Sequence, residues 1–206
     1  KNITTDYLTV TKSAHFWELV VDTISSTKGA IIVSPANCIV EDVLNEDGQY
    51  TLYWRAEDVE TGKAITNDFK VYDQIICQSF NAASDADFSS SNKYYWRLVT
   101  RVGRTYRADN LRGGECYWNY IQLSATDGDG TSIPEIGDNI AVLGNRTNED
   151  RQNAIIISST NSDYLDAEIQ SPSIVQYKGI KSYDLKLYRY NVIAANGNTF
   201  IGNFRV

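Results

Sequence analysis

The chain has 206 residues, room for one large β unit or two small ones with cores of their own. It is 42% apolar and 12% aromatic with only three prolines, a composition that folds. Lys and Arg number 19 against 26 Asp and Glu, a net charge of −7 that repels phosphate backbones and anionic lipid. Neither nucleic acid nor membrane insertion is expected, because no apolar run approaches the roughly 20 residues of a spanning helix.

The segment DYLTVTKSAHFWELVVDTISSTKG comes first, and its spacing predicts an amphipathic helix. Phe16, Leu19, Val20 and Ile24 fall on one helical face, Ser13 is placed to cap it and Gly29 to stop it. Trp17 and Val21 add apolar surface to the side, more than one sheet contact requires. After Gly29 the pattern is that of strands: AIIVS, NCIVEDVL, QYTLYWRAED and FKVYDQIICQSF, parted by turn signals at Pro35, Asp47-Gly48 and Thr61-Gly62. KYYWRLVTRV, YWNYIQLS, DNIAVLGN and NAIIISS continue it. In SPSIVQYKG a Ser at a cap position, a Pro after it and a closing Gly predict an isolated helical turn. The tail reads as a hairpin built on Asn196-Gly197.

VYDQIICQ at 71–78 and IGDNIAVL at 136–143 share an order of residue types, as if each began a strand from the same tight turn. The most linker-like stretch is NAASDADFSSSN. The expected fold class is therefore mostly β, one N-terminal amphipathic helix followed by hairpin-rich small β-barrel or sandwich subdomains. Residues 1–28 hold a short strand and the helix, 29–81 a first β-subdomain, and 82–206 a second with the C-terminal hairpin. The ends, Lys1 and TFIGNFRV, read as cuts within a longer chain.

Little of this sequence points to catalysis. His15 is the only histidine and sits at the edge of the apolar stripe, where a packed or interfacial role is the simpler reading. Cys38, Cys77 and Cys116 form no CxxC pair and read as small buried hydrophobes. In TDGDGTSIPEIGD, Asp127, Asp129 and Thr131 open like a calcium loop, but Ser132 stands where the turn glycine belongs and Pro134 follows. No metal and no cofactor is expected, and no catalytic residue is nominated. A glycosidase needs only two carboxyls at a fixed separation, which 26 acidic residues always permit. Aromatic residues are the most suggestive feature, and Tyr117, Trp118 and Tyr120 are the candidate ligand contacts, since alternation sends one ring outward for each ring inward. Core and cross-strand pairing is the competing role for the same rings.

KYYWRLVTRV, YIQLS, SIPEIGDNIAVLGNRTNEDRQNAIIISS and PSIVQYKGIKSYDL, in this order, resemble tail proteins of phages and prophages of anaerobic gut bacteria. TKSAHFWELVVDTISSTKGAIIVSPAN resembles the upstream segment of the same family, so the likeness spans most of residues 8 to 190. RADNLRGGECYWN departs from it as an insertion. The resemblance implies a minor tail, tail-tip or fibre-associated protein of the virion, and it supplies no catalytic residues. The widened apolar surface of the helix suggests self-association with Phe16, Trp17, Val20, Val21 and Ile24 as the interface, and the resemblance implies that the assembly is a homotrimer. The alternative is a monomer whose helix packs onto its own sheet. Other tail proteins and a host surface glycan are the further partners that the resemblance implies. The expected function is a non-enzymatic structural and adhesion module. The alternatives are a carbohydrate-binding module of a bacterial surface glycan system and, third, a polysaccharide-degrading enzyme.

Overall fold

The computed structural model describes residues 30–46, 48–58, 61–79, 93–109, 113–159, 161 and 166–200. The N-terminal helix, His15 and the trimer residues Phe16, Trp17, Val20, Val21 and Ile24 lie outside the described residues. Twelve strands follow in chain order: β1 (Ala30–Val33), β2 (Asn37–Ile39), β3 (Asp42–Glu46), β4 (Gln49–Arg55), β5 (Asp73–Ser79), β6 (Lys93–Ala108), β7 (Glu115–Asp129), β8 (Asn139–Asn145), β9 (Ala154–Ser158), β10 (Ser173–Tyr177), β11 (Arg189–Ala194) and β12 (Gly197–Phe200). The protein is mostly β, and its described helical pieces are two short 3-10 turns at Glu149–Arg151 and Leu185–Tyr188. Among the described residues no helix is long and apolar enough to cross a membrane.

Seven strands form one sheet in the order β2-β8-β5-β6-β7-β4-β3, and five form another in the order β1-β9-β10-β11-β12. β2 and β3 are the two edges of the larger sheet, yet only Val40 and Glu41 separate them in the chain. Three Cα steps span at most about 11 Å. The sheet must therefore curl until its edges face each other across that link, and it closes into a half-barrel. Val40 donates its N–H to Asp138 beside β8 and Glu41 donates to Tyr53 on β4, so the link bonds to both sides.

Curling encloses a first core of Tyr50, Leu52 and Trp54 from β4, Ile75 and Cys77 from β5, Tyr95 and Val99 from β6, Ile121 and Leu123 from β7, and Ile140 and Val142 from β8. The intervening residues Ile76, Tyr94, Trp96 and Leu143 point outward from the curl. There they meet Ile156, Val175, Tyr177 and Val192 of the smaller sheet and form a second core. β5, β8 and the first half of β6 are thus buried on both faces, which is why they read as unbroken apolar runs rather than as alternation.

The divide expected at residue 81 does not separate these sheets. β1 lies upstream of it and pairs with β9, and β5 pairs with both β6 and β8. NCIVEDVL, read as one strand, is split between opposite edges by the Val40-Glu41 link. SPSIVQYKG is not a helical turn: Ser173–Tyr177 is a strand with Ser173, Val175 and Tyr177 buried and Ile174 and Gln176 exposed. Its two-residue alternation outweighs the flanking Ser, Pro and Gly, because β9 and β11 on either side satisfy its backbone. Cys77 is buried and Cys38 packs half-buried against the first core, and burial pushes both thiols up to about 12. Cys116, on β7, is like Cys38 only partly buried.

Asp73 is fully buried at the start of β5 and is held from three directions. Arg151 Nε and Nη2 donate to its two oxygens at 2.8 and 2.7 Å, Asn145 Nδ2 at 2.8 Å and Lys70 N at 2.7 Å. Asn145 Oδ1 in turn accepts from Thr147 N and Asn148 N, and Gln152 Nε2 donates to the Asn145 carbonyl. The run GNRTNEDRQN is therefore the hinge where the chain passes from the larger sheet at β8 to the smaller at β9. Arg151→Met leaves the Asp73 carboxylate buried and half-bonded, and it is expected to cost about 3 kcal/mol of stability in urea titration.

The two echoing segments adopt the same turn. Asp73 N–H donates to Lys70 O at 3.1 Å and Asp138 N–H to Glu135 O at 3.3 Å. Each aspartate carboxylate accepts the N–H three residues back, at 2.7 and 2.9 Å. The third residue of each turn is left-handed, Tyr72 at φ 71° and Gly137 at φ 90°, and the strands that follow, β5 and β8, pair side by side. Gly137→Ala should lower stability by about 1 kcal/mol in thermal melts, while Tyr72→Gly, which relieves the same backbone strain, should leave it unchanged or raise it.

Candidate functional site

β6 and β7 are long strands, and their far ends run past the neighbours that flank them. β5 covers only Lys93 to Leu98 of β6, and β4 covers only Trp118 to Ser124 of β7. Residues 106–108 and 115–117 thus form a projecting ribbon, with Ala56 N–H still bonded to Tyr117 O, and they lie within or beside the insertion RADNLRGGECYWN noted in the sequence. Its register sets Tyr106 directly opposite Tyr117, and Thr105 opposite Trp118. Consecutive residues of a strand face opposite sides, so the candidate rings are divided between two faces.

Tyr117 shares its face with Asn119, Ile121 and Leu123, which continue into the first core. The segment after β4 borders that face: Ala56 N–H donates to Tyr117 O at 3.0 Å, Asn119 Nδ2 donates to Ile65 O at 2.9 Å, and Asn67 Nδ2 donates to Gly103 O and Tyr120 O at 3.2 and 3.1 Å. Beside it stand the rings of Tyr106 and Tyr117, 55% and 47% exposed, with centroids 4.9 Å apart and edge to face. The Arg104 guanidinium lies 4.4 Å over the Tyr117 ring and its Nη2 is 3.3 Å from Glu57. Two tyrosines and an arginine, mutually oriented and open to solvent, offer ring faces, hydroxyls and a guanidinium fork to a partner.

The opposite face holds Trp118 and Tyr120, and neither presents a free ring. Trp118 is 2% exposed, covered by Arg55 at 5.5 Å and Arg107 at 5.3 Å from its centroid. Arg107 also lies 4.2 Å over Tyr53 and pairs with Asp42. Arg55 is buried and salt-bridged to Asp109 at 2.9 Å and to Glu41 at 3.3 Å, which pins the ribbon's loop to β4 and to the Val40-Glu41 link. Tyr120 is half-buried and lies flat across Gly103: a methyl group at Gly103 would meet the Tyr120 ring at 2.6 Å. Burial, followed by the nearby Asp109, raises the Cys116 thiol on this face. The face is a stack of alternating cations and rings that stiffens the ribbon.

Of the sequence candidates, then, Tyr117 is on the exposed surface and Trp118 and Tyr120 are scaffold. Tyr106 and Arg104 were missed. The signal for them was present in RTYRA and ECYW flanking a glycine loop, a hairpin whose paired tyrosines face the same side. The calcium-like carboxylates are turned to separate partners. Asp127 takes Arg146 Nη1 at 2.7 Å and Tyr183 Oη at 2.9 Å, Asp129 takes Tyr94 Oη at 2.8 Å, and Glu135 takes Lys93 Nζ at 2.7 Å. Among the described residues no group of three or more His, Cys, Asp or Glu is gathered as a metal ion would need.

Gly103→Ala should destabilise the protein by about 1–3 kcal/mol through the clash with Tyr120. In a Tyr120→Ala background the same change should cost much less, and the double-mutant cycle from thermal melts reads that coupling.

In comparisons with family models, curated protein sequences and solved structures, no match to this chain was found, so the site stands on its own geometry.

Proposed function

We propose that this chain is a non-enzymatic structural and adhesion module of a phage or prophage tail, touching its partner with Tyr106, Tyr117 and Arg104. The observation that supports the contact is the pair of half-exposed rings at the outer end of a ribbon braced on its other face. Surface aromatics with an adjacent arginine are the composition of binding hot spots. A ring held at the end of a stiff ribbon also loses little conformational freedom on binding.

The environment of the carboxylates supports the non-enzymatic part. Asp42, Asp73, Asp109, Asp127 and Asp166 each pair with an arginine. A glycosidase acid and base need two carboxyls open to one shared space. Assembly into a homotrimer with other tail proteins belongs to the same reading and rests on the apolar pattern of Phe16, Trp17, Val20, Val21 and Ile24 in the sequence together with the resemblance of the sequence words.

A host surface glycan is the proposed contact, and the carbohydrate-binding reading shares its chemistry. The test is an array of bacterial surface polysaccharides probed with the wild-type chain and with Tyr106→Ala and Tyr117→Ala. Binding should fall at least about tenfold in each variant, the loss of an interface anchor. Polysaccharide binding that persists unchanged in both folded variants removes these rings from the contact. Release of reducing sugar from the array would favour the hydrolase instead.

A further inference from the structure

The smaller sheet buries one face in the second core, and the described residues leave the other open. On the open face the register sets Ile31, Ile157, Ile174, Ile193 and Asn198 side by side across β1, β9, β10, β11 and β12. The four isoleucines are 44, 41, 44 and 47% exposed. Two residues along the strands runs a second row, Val33, Ile155, Gln176, Asn191 and Phe200. Val33 and Phe200, at its ends, are exposed. A strand with one face in water alternates apolar and polar residues, whereas AIIV of β1 and AIIIS of β9 read as β5 does, and β5 is covered on both faces.

The polar members of this face are already prepared for burial. Asn191 Nδ2 donates to Gln176 Oε1 at 2.7 Å, and Asn198 Oδ1 accepts the Ala194 N–H at 3.2 Å. Polar side chains that are bonded within the face lose less when water is removed from it. None of the ten positions in the two rows is charged.

That last property selects the occupant. The chain carries a net charge of −7, so two copies repel each other over most approaches. An uncharged face is where like-charged copies meet without adding repulsion, and it offers a partner of opposite sign no charge to complement. Its size also fits: five strands and two rows cover roughly 24 by 14 Å, the dry centre of an interface whose polar rim brings it to about 800 Å² per partner. Asn153 and Lys178, with Tyr190, stand beyond the second row and supply such a rim.

We infer that the open face of the five-stranded sheet docks a second copy of the chain, sheet on sheet, about a two-fold axis. A two-fold sets one patch against the same patch, so each copy covers the isoleucine row of the other with the sheets about 10 Å apart. The contact lies on the smaller sheet and is independent of the site at Tyr106 and Tyr117 on the larger one.

Light scattering coupled to size exclusion of the full chain tests this. The mass should be an even multiple of 23.1 kDa. Ile157→Glu and Ile174→Glu should each halve it by placing a charge inside the contact, whereas Ile136→Glu, at an isoleucine 67% exposed ahead of β8, should leave it unchanged. The halving reads the same whether the remaining unit is one chain or three. An odd multiple for the wild type, or an even one that neither glutamate changes in a folded variant, overturns the proposal. A second measurement needs no variant. In the assembled wild type a soluble nitroxide should attenuate the isoleucine methyls of the row as weakly as those of buried Ile75 and Ile121, and dilution to the dissociated state should raise the attenuation toward that of Ile136. Attenuation as strong as that of Ile136 before dilution overturns the proposal by showing the face open. Protection that persists after dissociation overturns it by showing the face covered from within one chain.

Discussion

The rest of the architecture depends on the two-residue link Val40-Glu41. Because it joins strands at opposite edges of a seven-stranded sheet, it leaves the sheet no flat form. The curl creates an inside, filled by the first core, and an outside, on which the smaller sheet can lie. Val40 itself is 1% exposed and plugs the seam it closes. Glu41 carries the constraint outward: its carboxylate takes the Arg55 backbone N–H at 3.1 Å and pairs with the guanidinium that reaches Asp109. The geometry of the projecting ribbon is thus coupled to closure of the half-barrel through one buried arginine.

That coupling explains the unequal roles of neighbouring aromatic residues. Trp118 and Tyr117 are adjacent in the chain, yet one is structural and the other displayed. On the Trp118 side, Arg55, Arg107 and Asp42 supply cations and counter-charges that close over the rings. On the Tyr117 side the segment after β4 bonds the ribbon at Asn119 and at the Tyr117 carbonyl, and among the described residues it leaves the Tyr106 and Tyr117 rings about half exposed. A ribbon without partners along its edges would be soft, because hairpins standing alone are marginally stable. Stacking of Arg107 on Tyr53, and of Tyr120 on Gly103, supplies the stiffness that lets exposed rings be held in place.

Buried charge is used in this fold mainly to join elements distant in sequence. Arg151 and Asp73 are linked across 78 positions and Arg55 and Asp109 across 54. Asp166 with Arg189 does the same for the smaller sheet. Such pairs add little net stability over apolar packing but strongly disfavour arrangements that leave one partner unpaired. In a protein whose strands are interleaved between two sheets, selecting one pairing among many is the harder requirement.

The sequence by itself determined the β character, most strand positions and the tight turns. Two-residue alternation, DG and NG turns and β-branched runs are local signals that neighbours reinforce. The echo of VYDQI and IGDNI was legible because an aspartate closing a turn on the N–H three residues back is local chemistry. Strand order was decided only by the tertiary structure. Nothing in NCIVEDVL announces that its halves lie at opposite edges, since that depends on which distant strands, β8 and β4, accept them. The strand at Ser173–Tyr177 was hidden for the same reason: its cap-like ends are local, and the partners that make it a strand are not. The site was half legible, because alternation says that Tyr117 and Trp118 face opposite ways but not which way is out. That choice was made by Arg55 and Arg107, brought over Trp118 by the curl of the sheet.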